Sequence, residues 1–136
     1  MTDIIKIKHL PQFFPNFWSD EYNVYGISFV EEISIGFVER VNGGYSYLSK
    51  DDFSNLHISP TQLLDITINN LDNEFENCDI KVYKLKGGSV AFWHSETDNF
   101  SAVRILSPKY LSILKNIFKG YFYFSITLHN TLFESY

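Results

Sequence analysis

Residues 121–128 constrain the fold of this chain most strongly, because their side chains alternate in character along the whole stretch. The apolar face consists of Phe122, Phe124, Ile126 and Leu128. The opposite face consists of Tyr121, Tyr123, Ser125 and Thr127. A period of two in a segment rich in aromatic and β-branched residues predicts a strand that packs on one side. Because an amphipathic pattern with Leu111, Leu114 and Phe118 precedes it, we expect a helix packed on an antiparallel sheet.

Length and composition predict one domain of the α+β class. The chain has 136 residues, of which 45% are hydrophobic, enough for one core and too few for two ordinary domains. We expect residues 1–136 to form a single α+β domain with two principal helices. Its antiparallel or mixed sheet should have roughly five to seven strands. Residues 1–24 are expected to be an irregular, aromatic-rich segment, because Pro11 and Pro15 resist regular hydrogen bonding.

Further strands are predicted where apolar runs alternate or stand between turn signals. They cover residues 25–30, 34–41, 45–48, 79–86, 89–94 and 102–106. Asn42-Gly43-Gly44 and Gly87-Gly88 are expected to be hairpin turns, because these residues tolerate positive φ.

Capping signals predict where the helices begin. Ser59 and Gln62 have the spacing of a capping box, with a proline between them at the first helical position. The helix should end between residues 73 and 76. Its predicted apolar stripe consists of Leu64, Ile68 and Leu71, with Leu63 and Thr67 beside it. A second Ser-Pro pair at Ser107 predicts the other principal helix, and Ser49 predicts a short helical turn.

Net charge and cysteine content indicate which class of partner and which cellular compartment to expect. The formal net charge is −5, which favours a basic protein over nucleic acid as the partner. Cys78 is the single cysteine, so no internal disulfide forms and a reducing cytoplasm is expected. The first residues lack the apolar core of a signal peptide, and no run approaches the roughly 18 apolar residues that span a bilayer. We therefore expect no membrane contact.

No pattern has the spacing of a catalytic or cofactor site. The four histidines do not stand three or four residues apart, so no helical metal pair exists. His94, Glu96 and Asp98 come nearest to a ligand cluster, and a solvated turn is the more ordinary interpretation. Cys78 follows an acidic run, which disfavours the thiolate that a nucleophile needs. We expect no catalysis, no cofactor and no bound metal.

One motif leaves an enzymatic alternative open. Asp79-Ile80-Lys81, on a predicted strand, is similar to the acid-x-Lys element of metal-dependent nucleases. Such sites need a further carboxylate on Mg²⁺, for which Glu76 or Asp72 is available. A three-residue pattern of this kind also arises frequently by chance.

Two groups of residues are candidates for contact with a protein partner. The acidic candidates are Asp72, Glu74, Glu76 and Asp79. They begin at a predicted helix end, where the helix dipole disfavours negative charge, and such a locally unfavourable choice indicates either function or merely a solvated loop. The aromatic candidates are Phe14, Phe17 and Trp18, which offer anchoring area.

Three segments carry a resemblance to a known family. They are residues 47–53 (Tyr-Leu-Ser-Lys-Asp-Asp-Phe) with a helix ending in Asn69-Asn70-Leu71, residues 98–102 (Asp-Asn-Phe-Ser-Ala), and residues 124–133. With the order of elements over about residues 25–132, they resemble the YtpQ-like family of uncharacterised bacterial proteins. The resemblance implies an α+β fold and no established activity. Leu128 and Asn130 stand where that family has proline and arginine, so the polar signature of a shared site is missing.

These observations predict a non-catalytic protein that binds another protein. A short, acidic chain without a catalytic pattern is typical of bacterial immunity proteins, which block a toxin by covering its active site. The expected partner is a cationic toxin domain, for example a basic nuclease. Two alternatives stay open. One is a metal-dependent hydrolase using Asp79 and Lys81, and the other is a structural or adaptor module of the YtpQ type that self-associates through exposed aromatic residues.

Overall fold

The computed structural model describes residues 7–74, 79–85, 88–94, 100 and 102–117. In chain order, its elements are β1 (Leu10–Pro15), α1 (Trp18–Glu21), β2 (Ile27–Val30), β3 (Ile33–Val41), β4 (Gly44–Tyr47), α2 (Lys50–Leu56), α3 (Pro60–Glu74), β5 (Asp79–Leu85), β6 (Gly88–His94), a 3₁₀ helix (Ala102–Leu106) and α4 (Pro108–Ile117). The protein therefore has the predicted α+β fold, with helices and antiparallel strands.

The main sheet has four antiparallel strands built around β3. β1 pairs with one side of β3, while β2 and β4 pair with the other side. β5 and β6 form a separate two-stranded hairpin. Within the residues described, the strands are thus divided between a four-stranded sheet and a hairpin, and not joined in one sheet of the predicted size. The predicted strand at residues 121–128 lies outside the described residues.

The prediction of an irregular segment at residues 1–24 is wrong for residues 10–15, which form the edge strand β1. The register gives Pro11, Phe13 and Pro15 the same orientation in the ladder. The Phe13 N–H points away from β3, because it donates to the neighbouring Gln12 Oε1 at 3.0 Å. At Pro11 and Pro15 the backbone nitrogen therefore also points away from β3, where no N–H is needed for strand pairing. An edge strand tolerates proline at such positions.

A side chain of α3 binds the backbone just ahead of β1. The Asn70 amide nitrogen donates to the carbonyl oxygens of Ile7 and His9 at 3.2 and 3.0 Å. The two prolines and the Gln12 side chain occupy the outer positions of β1 itself. These features leave few backbone donors on this edge for a further strand.

The predicted caps of α2 and α3 are confirmed. The Ser49 hydroxyl accepts the N–H of Asp52 at 3.1 Å at the start of α2. At the start of α3, the Ser59 hydroxyl accepts the N–H of Gln62 at 3.1 Å, and Gln62 Oε1 accepts the N–H of Ser59 at 2.8 Å. This reciprocal pair is a capping box, and α3 ends at Glu74, inside the predicted window.

α3 buries a different stripe from the one predicted. Its buried residues are Leu63, Thr67 and Leu71, whereas Leu64 and Ile68 are only partly buried. The Thr67 hydroxyl donates to the Leu64 carbonyl at 3.0 Å, so threonine is buried with its polar group satisfied. The prediction is thus confirmed at Leu71 and displaced by one position at Leu64 and Ile68, because hydropathy alone favours a stripe without threonine.

Ala102–Leu106 forms a 3₁₀ helix and not the predicted strand. Val103, Arg104 and Ile105 are buried in succession, whereas a strand packed on one side buries alternate residues. A short apolar run does not distinguish these conformations by its pattern. The Arg104 guanidinium lies 5.6 Å from the centre of the Tyr110 ring, which joins this turn to α4.

The core lies between the sheet, α3 and the segment around the 3₁₀ helix. Its fully buried members include Leu10, Phe13, Ile35, Phe37, Val38, Leu63, Leu71, Phe100 and Val103. Each side chain of this size stabilises the fold by roughly 1.5–3 kcal/mol when buried. Phe14, next to Phe13 in β1, lies on the opposite face of the sheet and contacts Trp18 of α1.

Candidate partner-binding surface

Phe14 lies in the core and supports a group of aromatic rings on one face of the sheet. Its side chain rests where Gly26 and Gly36 leave room, since a Cβ at Gly36 would lie 2.9 Å from the ring and one at Gly26 would lie 2.5 Å from it. Phe14 is 1% exposed. The expectation that Phe14 contacts a partner is therefore corrected, because the ring is covered by its own fold.

Four aromatic rings form what we call the aromatic platform, consisting of Phe14, Trp18, Tyr22 and Tyr47. The Phe14 ring centre lies 6.3 Å from that of Trp18 and 5.6 Å from that of Tyr47. Trp18 meets both tyrosines edge to face, with ring centres 6.0 Å apart. Burial raises the pKa of Tyr47 to about 12, so its hydroxyl stays protonated at neutral pH. Tyr47 therefore contributes an uncharged ring to the platform.

The outer end of the platform is exposed to solvent. Tyr22 is 63% exposed, and Phe17, directly ahead of α1, is 59% exposed. Trp18 is partly buried between them and the core. Of the three aromatic candidates, Phe17 is therefore exposed, Trp18 is partly buried under Tyr22 and Phe14 is internal. Exposed aromatic rings are typical of anchors in protein interfaces.

Four carboxylates lie at this end of the molecule. We call this region the α1 surface, and it consists of Phe17, Asp20, Glu21, Tyr22, Glu31 and Glu32. All six residues are exposed. The turn between β2 and β3 is held next to α1 by Asn16, whose backbone N–H donates to Glu32 O at 2.9 Å and whose amide donates to Glu31 O at 3.1 Å. The backbone of Glu31 and Glu32 thus lies against Asn16, the residue directly before Phe17, so that acids from two separate segments belong to this surface.

α1 is fixed to its surroundings by polar contacts at both ends. The Ser19 hydroxyl donates to the Val24 carbonyl at 2.9 Å, and the Lys50 N–H donates to the Asn23 carbonyl at 3.1 Å. The Lys50 ammonium lies 3.2 Å from an Asp20 carboxylate oxygen. The hydrogen bond from the Lys50 N–H holds the residues that follow α1 against the start of α2, whereas the exposed ion pair adds little stability.

The acidic candidates at the end of α3 make contacts inside the protein. An Asp72 carboxylate oxygen accepts the hydroxyl of the buried Ser107 at 2.7 Å. Glu74 forms an ion pair with Arg40 of β3. Glu76 lies outside the described residues, and Asp79 is the first residue of β5. Asp72 and Glu74 therefore join α3 to α4 and β3, which accounts for them without a partner.

The hairpin register brings together two of the enzymatic leads. Asp79 stands opposite His94, and Lys81 stands opposite Phe92. Asp79 and Lys81 are two apart and share one face of β5. Among the described residues, no group of three or more His, Cys, Asp or Glu side chains is arranged to hold a metal ion. Cys78, Glu96 and Asp98 lie outside the described residues.

Sequence reasoning did not single out most of the α1 surface. Tyr22, Asp20-Glu21 and Glu31-Glu32 were not candidates, since an exposed acid pair is ordinary in any loop. The available signal was a pair of adjacent acids before β2 and a second pair directly after it, the first pair standing beside aromatic residues in the sequence. That signal becomes specific only after Asn16 brings the two segments together.

Comparisons with protein-family models, curated protein sequences and solved structures found no match to this chain. The resemblance to the YtpQ-like family therefore stays a prediction from the residues that carry it. Within the part of the chain that the structure describes, none of the helices combines the length and the apolar character needed to cross a bilayer. The surface itself is therefore the basis for inferring function.

Proposed function

We propose that this protein is a non-catalytic binding protein of the bacterial cytoplasm, most plausibly an immunity protein that covers the active site of a cationic toxin. The observation that carries the proposal is the α1 surface, where Phe17 and Tyr22 are 59% and 63% exposed beside four carboxylates. Large exposed aromatic rings do little for the fold of a lone chain, and they are enriched where proteins bind each other.

The ring packing within the aromatic platform supports binding by a preformed surface. Tyr22 packs on Trp18, which in turn packs on Phe14 over Gly36. An anchor that is already ordered loses less conformational entropy when it binds. We therefore expect Phe17 and Tyr22 to occupy apolar cavities on the partner without a rearrangement of this chain.

The charge of the α1 surface favours a different protein over a second copy of this chain as the partner. In a symmetric dimer formed through this surface, the carboxylates of Asp20, Glu21, Glu31 and Glu32 would face the same carboxylates of the other copy. Like charges placed together across an interface cost several kcal/mol. A partner with lysine or arginine around an apolar cavity complements the same surface. This argument disfavours the self-associating adaptor as a function of this surface.

The proposal is tested by capture and by neutralisation. The purified chain should retain one protein from its own cells or from the products of adjacent genes, and co-expression should suppress the toxicity of that protein. Phe17→Ala and Tyr22→Ala should each weaken the complex at least about thirtyfold, since anchor residues contribute about 2 kcal/mol or more. The matched control is Ile113→Ala, which removes an exposed aliphatic side chain on α4 and should leave affinity within about twofold.

Failure to find a toxic partner would contradict the proposal. It would also be contradicted if Ile113→Ala lost as much affinity as Phe17→Ala and Tyr22→Ala. Thermal unfolding of Phe17→Ala should stay close to that of the wild type, because the side chain is largely exposed. A large loss of stability in that variant would show that its effect on binding is indirect. In that case Phe17→Leu, which keeps an apolar side chain, should restore folding without restoring affinity.

A metal-dependent hydrolase is the second candidate, favoured by the hairpin register. β5 and β6 place Asp79 opposite His94 and put Lys81 on the same face as Asp79. If these residues bind a catalytic ion, millimolar Mg²⁺ or Mn²⁺ should raise the melting temperature of the wild type, because the ion binds the folded state. Asp79→Asn should abolish the rise. No shift in the wild type would remove this candidate.

A further inference from the structure

The Lys50 side chain stands at a position that its own helix disfavours. Lys50 is the first residue of α2, directly after the Ser49 cap. A helix N-terminus carries partial positive charge, so a cation there is destabilising and an acid is preferred. Asp51 and Asp52, the next two residues, follow that preference. Local helix energetics therefore give no reason for a lysine at this site.

The contact that Lys50 makes is with the α1 surface, 30 residues earlier in the chain. Its ammonium lies 3.2 Å from Asp20 Oδ1. The Asp20 side chain is nevertheless 97% exposed, so the pair lies in water. Exposed ion pairs contribute little to stability and exchange readily with other charges. The pair is thus too weak to explain Lys50 as a structural support of α1.

The backbone keeps the ammonium close to Asp20. The Lys50 N–H donates to the Asn23 carbonyl, and the Asn23 amide donates to Asp51 Oδ2 at 3.3 Å. These bonds join the end of α1 to the first turn of α2. A positive charge is therefore held at one edge of an otherwise acidic surface, where a cationic partner is expected to bind.

We propose that Lys50 is an internal competitor for the partner's cation. This inference rests on the proposed function. Lys50 neutralises Asp20 in the unbound protein, and a lysine or arginine of the partner replaces it when the surfaces meet. A ligand that binds through charge alone must break the Lys50–Asp20 ion pair and gains no other contact in return. A partner that also buries Phe17 and Tyr22 gains apolar contact that offsets this cost. Lys50 thereby selects for cationic surfaces with an apolar cavity over basic segments in general.

The test uses a defined cationic probe and a charge-matched control. The probe is an immobilised ten-residue peptide of alternating lysine and leucine, compared with one of alternating glutamate and leucine. Lys50→Met keeps the aliphatic stem and removes the charge. Lys115→Met makes the same change of net charge at an exposed position of a different helix, α4. The lysine–leucine peptide should bind Lys50→Met about two- to fivefold more tightly than wild type at low salt.

The expected gain is specific in three ways. It should exceed that of Lys115→Met, it should disappear at about 0.5 M salt because the charges are screened, and it should disappear when Asp20→Asn is added. Equal gains for the two lysine variants, or weaker binding by Lys50→Met, would overturn the competitor role alone. If wild type binds both peptides equally or neither of them, the cationic partner of the proposed function fails as well.

Discussion

Two acidic regions of this protein look alike in sequence and differ in what they contact. At the end of α3, Asp72 accepts the Ser107 hydroxyl and Glu74 pairs with Arg40. On the α1 surface, Glu21, Glu31 and Glu32 are exposed beside aromatic rings. The first group was expected to bind a partner because its charges oppose the helix dipole. The structure explains those charges by contacts within the fold, so an unfavourable charge can indicate tertiary structure as well as binding.

The largest expected difference between the two regions is in stability. Asp72→Ala should lower the free energy of unfolding by about 1–3 kcal/mol, because it leaves the buried Ser107 hydroxyl without its acceptor. Glu21→Ala, on the α1 surface, should change it by no more than about 0.5 kcal/mol. Urea unfolding of both variants measures the comparison. Equal changes in the free energy of unfolding would mean that the Asp72 contact does not stabilise the fold. In that case Ser107→Ala would have the same effect in the wild type and in the Asp72→Ala variant.

The second difference concerns the rate of association with a cationic partner. The double variant Glu31→Gln with Glu32→Gln should slow association about three- to tenfold at low salt, because these carboxylates face the approaching charge. The matched control is Asp72→Asn with Glu74→Gln, which removes the same net charge at the end of α3. Stopped-flow or surface binding at two salt concentrations measures the rates. A larger effect from the α3 pair would assign the partner to the other region.

The smallest expected effect is the pH dependence of stability that the partly buried His9 causes. Burial lowers the pKa of His9 below its usual 6.5, and the charges of Glu39 and Asp52 partly offset this effect. Neutral His9 is therefore favoured in the folded protein, and the unfolded chain takes up a proton more readily near pH 6.5. The contribution of His9 to stability should be complete above that pH and decline as the pH falls through 6.5 toward the lower folded value.

Urea unfolding at pH values from about 7.5 to about 5, in steps of roughly half a unit, measures the decline in the free energy of unfolding attributed to His9. His9→Gln should flatten the curve in this window, with a change smaller than that caused by Asp72→Ala. His57→Gln is the matched control, because His57 is exposed. A steeper decline in His9→Gln than in the wild type would show that the sign assigned to His9 is wrong.

Features that depend on neighbouring residues were predictable from the sequence. The Ser59–Gln62 capping box, the Ser49 cap and the turn at Gly43, whose φ is +82°, all follow from the chemistry of a few adjacent residues. The α+β class followed from the same local patterns. These predictions are confirmed because each pattern supplies its own hydrogen-bond partner or backbone freedom.

The two Ser-Pro pairs show where local reasoning ends. Ser59 caps its own helix because Gln62 stands three residues later. Ser107 has Tyr110 at the corresponding position, and its hydroxyl donates to Asp72 of another helix. A capping signal without its reciprocal partner therefore left the serine available for a contact across the fold. The sequence identifies both helix starts but does not indicate the second contact.

The candidate site was only partly predictable, since strand register decides which aromatic residues are exposed. Phe14 and Phe17 look equally available in sequence. The pairing of β1 with β3 places Phe14 over Gly36, while Phe17 lies beyond the strand and stays exposed. The acids of the α1 surface come from two segments joined through Asn16. Such a surface exists only after folding, so no local pattern shows it.

The central claim is that a partner binds the α1 surface and not the end of α3. Backbone NMR of the isotope-labelled chain, titrated with the unlabelled protein recovered by capture, tests this most directly. We predict that the largest shift changes fall on Phe17, Tyr22 and the Glu31-Glu32 turn. Changes concentrated on Asp72 and Glu74, with the α1 surface unaffected, would contradict the account.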